Sequence, residues 1–130
     1  MRSWLSHCVP MRRLGSMLSS GDVVDLDLGL PQGREAGFRH PAVVVSAQRI
    51  LGAEPSVVYV VPLTSTLREF HSEITVDPDN HNGLAGRSAA QCQHLRAVST
   101  ARIVSTRGNI GAATLAQIRE TLAVLLDIPI

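Results

Sequence analysis

A chain of 130 residues with 12 basic and 11 acidic side chains has the length of one domain, and its near-neutral charge excludes a strong uniform basic field. Its apolar fraction of 45% is enough for an ordinary globular core, and no run approaches the roughly 20 apolar residues of a membrane helix. All 12 basic residues are arginine, which fits both an arginine-biased codon usage and bidentate phosphate binding. Cys8 and Cys92 lack metal-site spacing and are too few for a disulfide framework, so we expect a reduced, cytoplasmic protein without cofactor or metal.

The first 20 residues differ in composition from the rest of the chain. They contain three arginines, several serines and no acidic residue, and they show little periodicity. They include neither an apolar segment long enough for a secretory signal nor a small-residue cleavage site. We therefore expect residues 1–20 to be a basic, disordered extension and residues 21–130 to form the domain, so that deletion up to Ser19 preserves folding.

Hydrophobic alternation predicts the first two strands. Apolar residues at 24, 26 and 28 alternate with aspartates, which is the period-two pattern of a half-buried strand. Residues 29–40 form a long polar loop with several glycines, and loops of this length in small domains are often functional. Pro41 then opens a second strand that runs to Ser46, because proline is tolerated at the first position of a strand.

The middle of the chain predicts three more strands. A short turn or helical bend at 47–51 leads to the strongest strand pattern, at 57–63, which is apolar on both faces and rich in β-branched residues. Residues 72–76 predict a fourth strand. Dense turn residues at 77–83 separate it from a fifth strand at 88–94, which is small and polar in character.

The C-terminal part changes from strand to helix periodicity. Ser99 is a candidate cap for one helical turn, and residues 104–110 predict a last short strand. From Gly111 to about Asp127, apolar residues recur every three or four positions, which predicts an amphipathic helix that ends before Pro129. Five or six short strands and one terminal helix predict a mainly β fold, a small closed barrel with the helix packed on it.

The candidate functional side chains stand at the ends of the strongest strands, where a rigid scaffold presents chemistry. The sequence has no phosphate-binding loop, metal-ligand spacing, paired carboxylates or nucleophile elbow. Arginine suits a phosphate, a threonine hydroxyl can hydrogen-bond its oxygens, and histidine titrates in the range useful for proton transfer. The candidates are Arg39 and His40 before the second strand, Thr64, Ser65, Thr66 and Arg68 after the third, and Gln93, His94 and Arg96 in or after the fifth.

Several short motifs, in order and with consistent spacing, resemble the MazF/PemK toxins over about residues 21–128. They are GDVV at 21–24, a loop with Gly33 and Glu35, a basic residue before PAVVVS at 41–46, VPLTS at 61–65, the segment 88–98 and the terminal helix. The resemblance implies a mainly β fold with a C-terminal helix, an SH3-like β-barrel of the CcdB/PemK (MazF) type. It also implies a homodimer whose RNA groove is occupied by a cognate antitoxin.

The activity that the resemblance implies is a toxin endoribonuclease that cuts single-stranded RNA, whether mRNA, tRNA or rRNA, without a metal ion. The substrate's own 2′-hydroxyl attacks the phosphate and gives a 2′,3′-cyclic phosphate and a 5′-hydroxyl. This is physically reasonable because the protein need only position the ribose and phosphate, move protons and stabilise charge. The implied catalytic residues are Arg39, His40 and Thr64, and the implied substrate-binding residues are Glu35, Ser65, Thr66, Arg68, Gln93, His94 and Arg96.

The chain departs from the family pattern at two places. The family usually has arginine directly before the proline of the second strand, whereas here His40 stands there and Arg39 is one position earlier. Adjacent residues of an extended chain face opposite ways, so we do not expect both in the site. We favour Arg39 for the phosphate, because a bulge in the loop would turn it inward, and the alternative is that His40 takes the catalytic place. The family also commonly has an acid followed by glutamine where this chain has Gln93 and His94.

Two other functions fit the same barrel. A CcdB-like poison of DNA gyrase depends on a C-terminal aromatic residue, and the ending Asp127-Ile128-Pro129-Ile130 argues against it. A catalytically weakened homologue that only binds RNA or antitoxin is kept open by His40. Each candidate residue also has a plain structural interpretation, because exposed arginines are usually solvated and threonine favours strand ends in any case.

Overall fold

The computed structural model describes residues 18–29 and 39–129. Within these two ranges, seven strands, two helices and two 3₁₀ turns follow one another. They are β1 (Asp22–Asp27), β2 (Arg39–Val44), α1 (Gln48–Leu51), β3 (Val57–Thr64), β4 (Glu73–Val76), β5 (Ser88–Gln91), a 3₁₀ turn (Cys92–His94), β6 (Arg96–Ser99), a second 3₁₀ turn (Thr100–Arg102), β7 (Ile103–Asn109) and α2 (Ala112–Leu125).

All strand pairs are antiparallel, in the order β4-β5-β3-β2-β1-β7. β5 and β6 are consecutive pieces that both pair with β3, on the edge opposite β2. The expected mainly β class with a C-terminal helix is confirmed. The prediction of a closed barrel needs correction, since β4 and β7 are unpaired ends of the strand order within the described ranges.

The central strands are buried on both faces, which produces two apolar clusters. Val23, Val43 and Val61 point to one face, where they pack with α2 through residues such as Ile118. Their neighbours in the sequence point to the other face, where Val24, Leu26, Val44, Val58 and Val60 pack with Leu51 and Val98. This alternation places the middle of the sheet between the two apolar clusters, one of which includes residues of α2.

Two strand predictions were wrong in their bounds. β2 begins at Arg39 rather than Pro41, because Arg39 and His40 already pair with Asp27 and Leu26 of β1. The predicted strand at 88–94 stops at Gln91 and continues as a 3₁₀ turn. The following strand β6 was not predicted, and it forms because its backbone pairs with the first half of β3.

Other predicted elements agree with the structure. The bend at 47–51 is α1, and the Ser99 hydroxyl caps the second 3₁₀ turn by accepting the Ala101 amide. β3 is apolar on both faces only in its second half, since Val57 and Tyr59 are exposed in the first. Within the described residues, no helix is long and apolar enough to cross a membrane.

The described end of the predicted N-terminal extension packs against the domain. Residues 1–17 lie outside the described residues, whereas Leu18 is 8% exposed and belongs to the apolar cluster that also contains Leu51 and Val98. The Ser19 amide donates to the Asp22 carboxylate (2.8 Å), and the Asp22 amide donates to the Ser19 carbonyl (3.0 Å). Contacts of the fold therefore extend three residues before Gly21.

We expect the start of the chain to matter for stability from Leu18 onward. Burial of a leucine side chain predicts that Leu18→Ala lowers the free energy of unfolding by about 2 kcal/mol. Thermal melts of a chain starting at Leu18 and of one starting at Ser20 test this, because only the second loses the buried leucine. Equal melting temperatures for the two chains would contradict it.

Candidate active site

The ends of β2 and β3 bring His40 and Thr64 opposite each other. The two strands pair with Ala42 opposite Pro62, and extending this antiparallel register by two residues puts His40 opposite Thr64. Directly opposed residues of an antiparallel pair point to the same face of the sheet. Two candidates that are 24 positions apart in the sequence therefore become neighbours at one rim of the barrel.

His40 and Thr64 line one pocket of about 330 Å³, which we call the Thr64 pocket. Its apolar wall comes from the ends of β2 and β3 and from the loop before β5. The polar side chains on its lining are His40, Thr64, Ser65, Arg87, Ser88 and Arg107. Three residues with hydroxyl groups, one histidine and two arginines around one cavity suit an anionic ligand such as a phosphodiester.

His40 also lines a second pocket of about 330 Å³, which we call the Arg96 pocket. Its polar lining includes His94 and Arg96, both candidates from the sequence, and Gln91. His40 borders both cavities, and we call the two pockets together the groove. Glutamine and histidine side chains beside the groove can hydrogen-bond the edges of unstacked bases.

His40 is half-buried, and burial sets its charge. Burial lowers the pKa of the imidazole below its ordinary value of 6.5, and the nearby positive charge of Arg96 lowers it further. At neutral pH the imidazole is therefore neutral, with one ring nitrogen able to accept a proton. This is the protonation state that a general base requires.

The Thr64 side chain is oriented by its own loop. Its hydroxyl oxygen accepts a hydrogen bond from the Thr66 amide at 3.1 Å. The hydroxyl proton remains available to a ligand in the pocket, because a hydroxyl can accept and donate at once. Thr66 thus positions Thr64 through its backbone, and Ser65 between them is exposed at the pocket wall.

Arg39 lies apart from the two pockets. It is exposed at the start of β2, opposite Asp27, and it is absent from the lining of both cavities. Its charge helps to lower the pKa of Asp25, so the guanidinium lies within electrostatic reach of that carboxylate. The structure therefore brings His40, rather than Arg39, next to Thr64. Glu35 lies outside the described residues.

Arg68 and Gln93, two candidates for substrate binding, are held by the buried carboxylate of Glu73. One oxygen of Glu73 accepts hydrogen bonds from Arg68 (2.7 Å), Gln93 (2.7 Å) and Gln91 (3.3 Å). Arg68 also stacks over Phe70, with its guanidinium carbon 4.9 Å from the ring centre. The Glu73 side chain is 2% exposed, so this cluster fixes the loop after β3 to β4 and β5.

Arg87 and Arg107 line the Thr64 pocket although the sequence did not single them out. Arg107 forms an ion pair with Asp25 (2.9 Å), a residue that the alternation in β1 had explained as a solvent-facing strand position. Arg87 pairs with Asp77 (2.7 Å) in the turn after β4. Neither pair has a local signal, because the paired residues lie 82 and 10 positions apart and meet only through the fold.

The described residues contain no group of three or more His, Cys, Asp or Glu side chains placed to hold a metal ion. Cys92 is a free, buried thiol whose pKa is raised to about 11 by burial, so it stays protonated at neutral pH. A protonated thiol is a weak nucleophile. The groups near the pockets that can move protons or stabilise charge are therefore the imidazole, hydroxyls and guanidiniums already described.

Comparison with known proteins identifies the family. The sequence model of the PemK-like, MazF-like toxins of type II toxin–antitoxin systems matches residues 19–126. This chain belongs to that family. It is 32% identical over 116 residues to the protein named Endoribonuclease MazF9 of Mycobacterium tuberculosis, an alignment that covers 86% of this chain and 98% of that protein.

Solved MazF structures share the fold of this PemK/MazF-family chain. Toxin MazF-mt6 of Mycobacterium tuberculosis superposes with a TM-score of 0.68 at 18% identity, covering 84% of this chain and 99% of that one. A MazE–MazF structure from Deinococcus radiodurans gives a TM-score of 0.68 at 24% identity, covering 86% and 97%. The SH3-like barrel of the CcdB/PemK (MazF) type with a C-terminal helix is thus confirmed.

We expect Glu73 to stabilise this PemK/MazF domain in a pH-dependent way. Burial alone would raise the pKa of its carboxyl, but the hydrogen bonds from Gln93, Arg68 and Gln91 outweigh burial and the pKa lies below its ordinary 4.5. A lowered pKa contributes stability above pH 4.5 that is lost as the pH falls through the folded value. Glu73→Gln should therefore lower the free energy of unfolding at pH 7 by about 1–3 kcal/mol.

Urea unfolding of the wild type and of Glu73→Gln at pH 7 and at pH 3 measures this contribution. The difference between the two proteins should shrink at the lower pH, because below pH 4.5 the unfolded wild-type chain binds a proton at Glu73 that the folded carboxylate, with its lowered pKa, resists. Glu54→Gln serves as a charge-matched control outside this cluster. A difference that is the same at both pH values would contradict the proposed role of the charge.

Proposed function

We propose that this protein is a toxin endoribonuclease of a toxin–antitoxin system that cuts single-stranded RNA without a metal ion. The observation that carries the proposal is the shared pocket of His40 and Thr64 in a PemK/MazF fold, with arginines on its lining. The name of the relative at 32% identity, an endoribonuclease, supports the same reaction class. The protein would act in the cytoplasm, where its RNA substrate is made.

The proposed reaction uses the substrate's own 2′-hydroxyl as the nucleophile. His40 accepts the proton of that hydroxyl, the bond from the 2′-oxygen to phosphorus forms, and the bond from phosphorus to the 5′-oxygen breaks. The leaving oxygen takes a proton from solvent, which gives a 2′,3′-cyclic phosphate and a 5′-hydroxyl. The Thr64 hydroxyl donates to a non-bridging phosphate oxygen and stabilises the charge that develops there.

The remaining candidates fit roles along the RNA. Arg96 and His94 on the Arg96 pocket would contact a phosphate and a base edge next to the cleaved bond, and Ser65 and Thr66 would border the phosphate from the Thr64 side. We assign to Arg39 a flanking phosphate contact, because its exposed guanidinium lies outside both pockets. We also propose three further substrate contacts, Glu35, Arg68 and Gln93. Arg68 and Gln93 would contact RNA through the solvent-facing side of the cluster that they form with Glu73.

We propose a cognate antitoxin and a second copy of the chain as protein partners. One solved relative is titled a MazE–MazF structure, and antitoxin binding over the groove would block access of RNA. The end of α2 and the residues after it expose four apolar side chains, which suit burial against a partner copy: Val124, Leu125, Leu126 and Ile128. Sedimentation at micromolar concentration would show a monomer if the homodimer is wrong.

Cleavage of RNA in excess EDTA tests the proposed activity. The purified protein should cut an unstructured RNA in chelator at the rate seen with magnesium, because none of the proposed steps uses a metal-bound water. Mapping of the ends should find 2′,3′-cyclic phosphates and 5′-hydroxyls. Activity that disappears in EDTA and returns with magnesium would overturn the mechanism, and inhibition of DNA gyrase without RNA cleavage would favour a CcdB-like function.

The pH dependence separates the roles of His40 and Thr64. Because its pKa is lowered, His40 should lose the ability to accept a proton only below pH 6.5, and the cleavage rate should fall there. His40→Gln should remove this acidic limb. Thr64→Val should lower the rate by roughly ten- to a thousandfold at every pH and leave the limb in place, whereas Thr64→Ser should keep most activity. An unchanged limb in His40→Gln would refute the base assignment.

A further inference from the structure

Arg107 is the extra residue of a β-bulge in β7. Val23 of β1 pairs with Gly108, whereas its neighbour Val24 pairs with Thr106, so Arg107 has no partner in the register. A bulge of this kind re-aims the side chain of the inserted residue. Here Arg107 lies on the wall of the Thr64 pocket, and no other residue of β7 is on that lining.

The backbone at the bulge is held by a close contact with the turn before β5. A Cβ atom at Gly83, which has φ +68°, would collide with the Arg107 carbonyl, and one at Gly108 would collide with the His81 carbonyl. The Asn109 amide also donates to the His81 carbonyl at 2.8 Å. The position of Arg107 is therefore set by backbone packing on both sides of the bulge.

One edge of the Arg107 guanidinium is fixed by Asp25. Its Nε lies 3.1 Å from both carboxylate oxygens and its Nη2 lies 2.9 Å from one of them, and Ser105 donates to the same carboxylate at 3.0 Å. In the part of the chain that the structure describes, these two nitrogens carry the hydrogen bonds of the group. A guanidinium has five N–H donors in a rigid fork, so the Nη1 edge retains donors for a ligand.

The other arginines near the site are placed differently. Arg87 lines the same pocket, but its pair with Asp77 is solvent-exposed, with side chains 59% and 68% exposed, compared with 34% for Arg107 and 17% for Asp25. Arg96 lines the pocket on the other side of His40. Arg107 is thus the more rigidly held of the two guanidiniums beside Thr64.

We propose that Arg107 binds the phosphate at the cleaved bond through the free edge of its guanidinium, and that Asp25 is the positioning residue that aims it. This inference rests on the proposed function. In this arrangement the cation that binds the phosphate is Arg107 on β7, while the residue that β2 contributes to the same pocket is His40. Asp25 neutralises the positive charge of Arg107. Arg107 therefore contributes directed hydrogen bonds to the phosphate rather than long-range attraction of RNA.

That distinction predicts which kinetic constant changes. Arg107→Gln should lower kcat about a hundredfold, the scale of losing one pre-organised donor, and change KM by less than about threefold. Arg107→Lys should recover only part of kcat, because the lysine ammonium keeps the positive charge but lacks the rigid fork of donors of the guanidinium. Arg49→Gln, an exposed arginine in α1, is the matched control and should cleave RNA at the wild-type rate.

Asp25→Asn separates the proposal from a purely structural ion pair. Asp25→Asn breaks the same ion pair but keeps the guanidinium. Its melting temperature should therefore be similar to that of Arg107→Gln, whereas its kcat should fall by no more than about tenfold. If the two variants lose the same activity and the same stability, Arg107 acts only as a structural partner and the proposal is overturned.

Titration with inorganic phosphate keeps this test independent of RNA cleavage. NMR shifts of the Thr64, Ser65 and Thr66 amides should report phosphate binding in the wild type and in Arg49→Gln, and binding should weaken at least tenfold in Arg107→Gln. If the wild type cleaves no RNA but shows this pattern, the proposed function fails and the phosphate site stands. If Arg107→Gln binds phosphate as the wild type does, the phosphate site is wrong.

Discussion

The candidate site depends on the antiparallel register between β2 and β3. Three valine-rich pairs, from Ala42–Pro62 to Val44–Val60, are buried on both faces, so the register cannot slip by one residue without exchanging the two apolar clusters. The same register, carried to the rim, sets His40 opposite Thr64. The register between β2 and β3 therefore determines both the stability of the core and the geometry of the site. Substitutions that disturb the packing of the valines would also misplace the imidazole of His40.

Carboxylates organise the arginines around this rim. Asp25 holds Arg107, Glu73 holds Arg68, and Asp77 pairs with Arg87. The partly buried pairs fix the direction of a guanidinium, while the exposed pair is screened by solvent and contributes little order. A chain with a formal charge of only +1 can thus present positively charged hydrogen-bond donors in one groove without being basic as a whole.

A neutral histidine at the rim gives the site a proton acceptor where a guanidinium could not serve. Arginine stays protonated throughout the pH range of folded proteins, whereas the half-buried His40 has a lowered pKa and is neutral at pH 7. In the mechanism that we propose, the site separates two tasks between two elements, with proton transfer on β2 and phosphate binding on β7. On this proposal, the departure from the family motif changes which residues carry the two tasks and removes neither task.

The sequence alone determined the family, the mainly β class with a terminal helix, and most strands, because these depend on local periodicity and on short motifs read in order. It also singled out His40 and Thr64 as residues next to strong strands. Tertiary structure alone decided that His40 rather than Arg39 faces Thr64, since this depends on the register in which β2 pairs with β3. Strand β6 and the position of Arg107 at the pocket were equally invisible in the sequence, because a backbone ladder and an ion pair spanning 82 positions leave no local pattern in the chain.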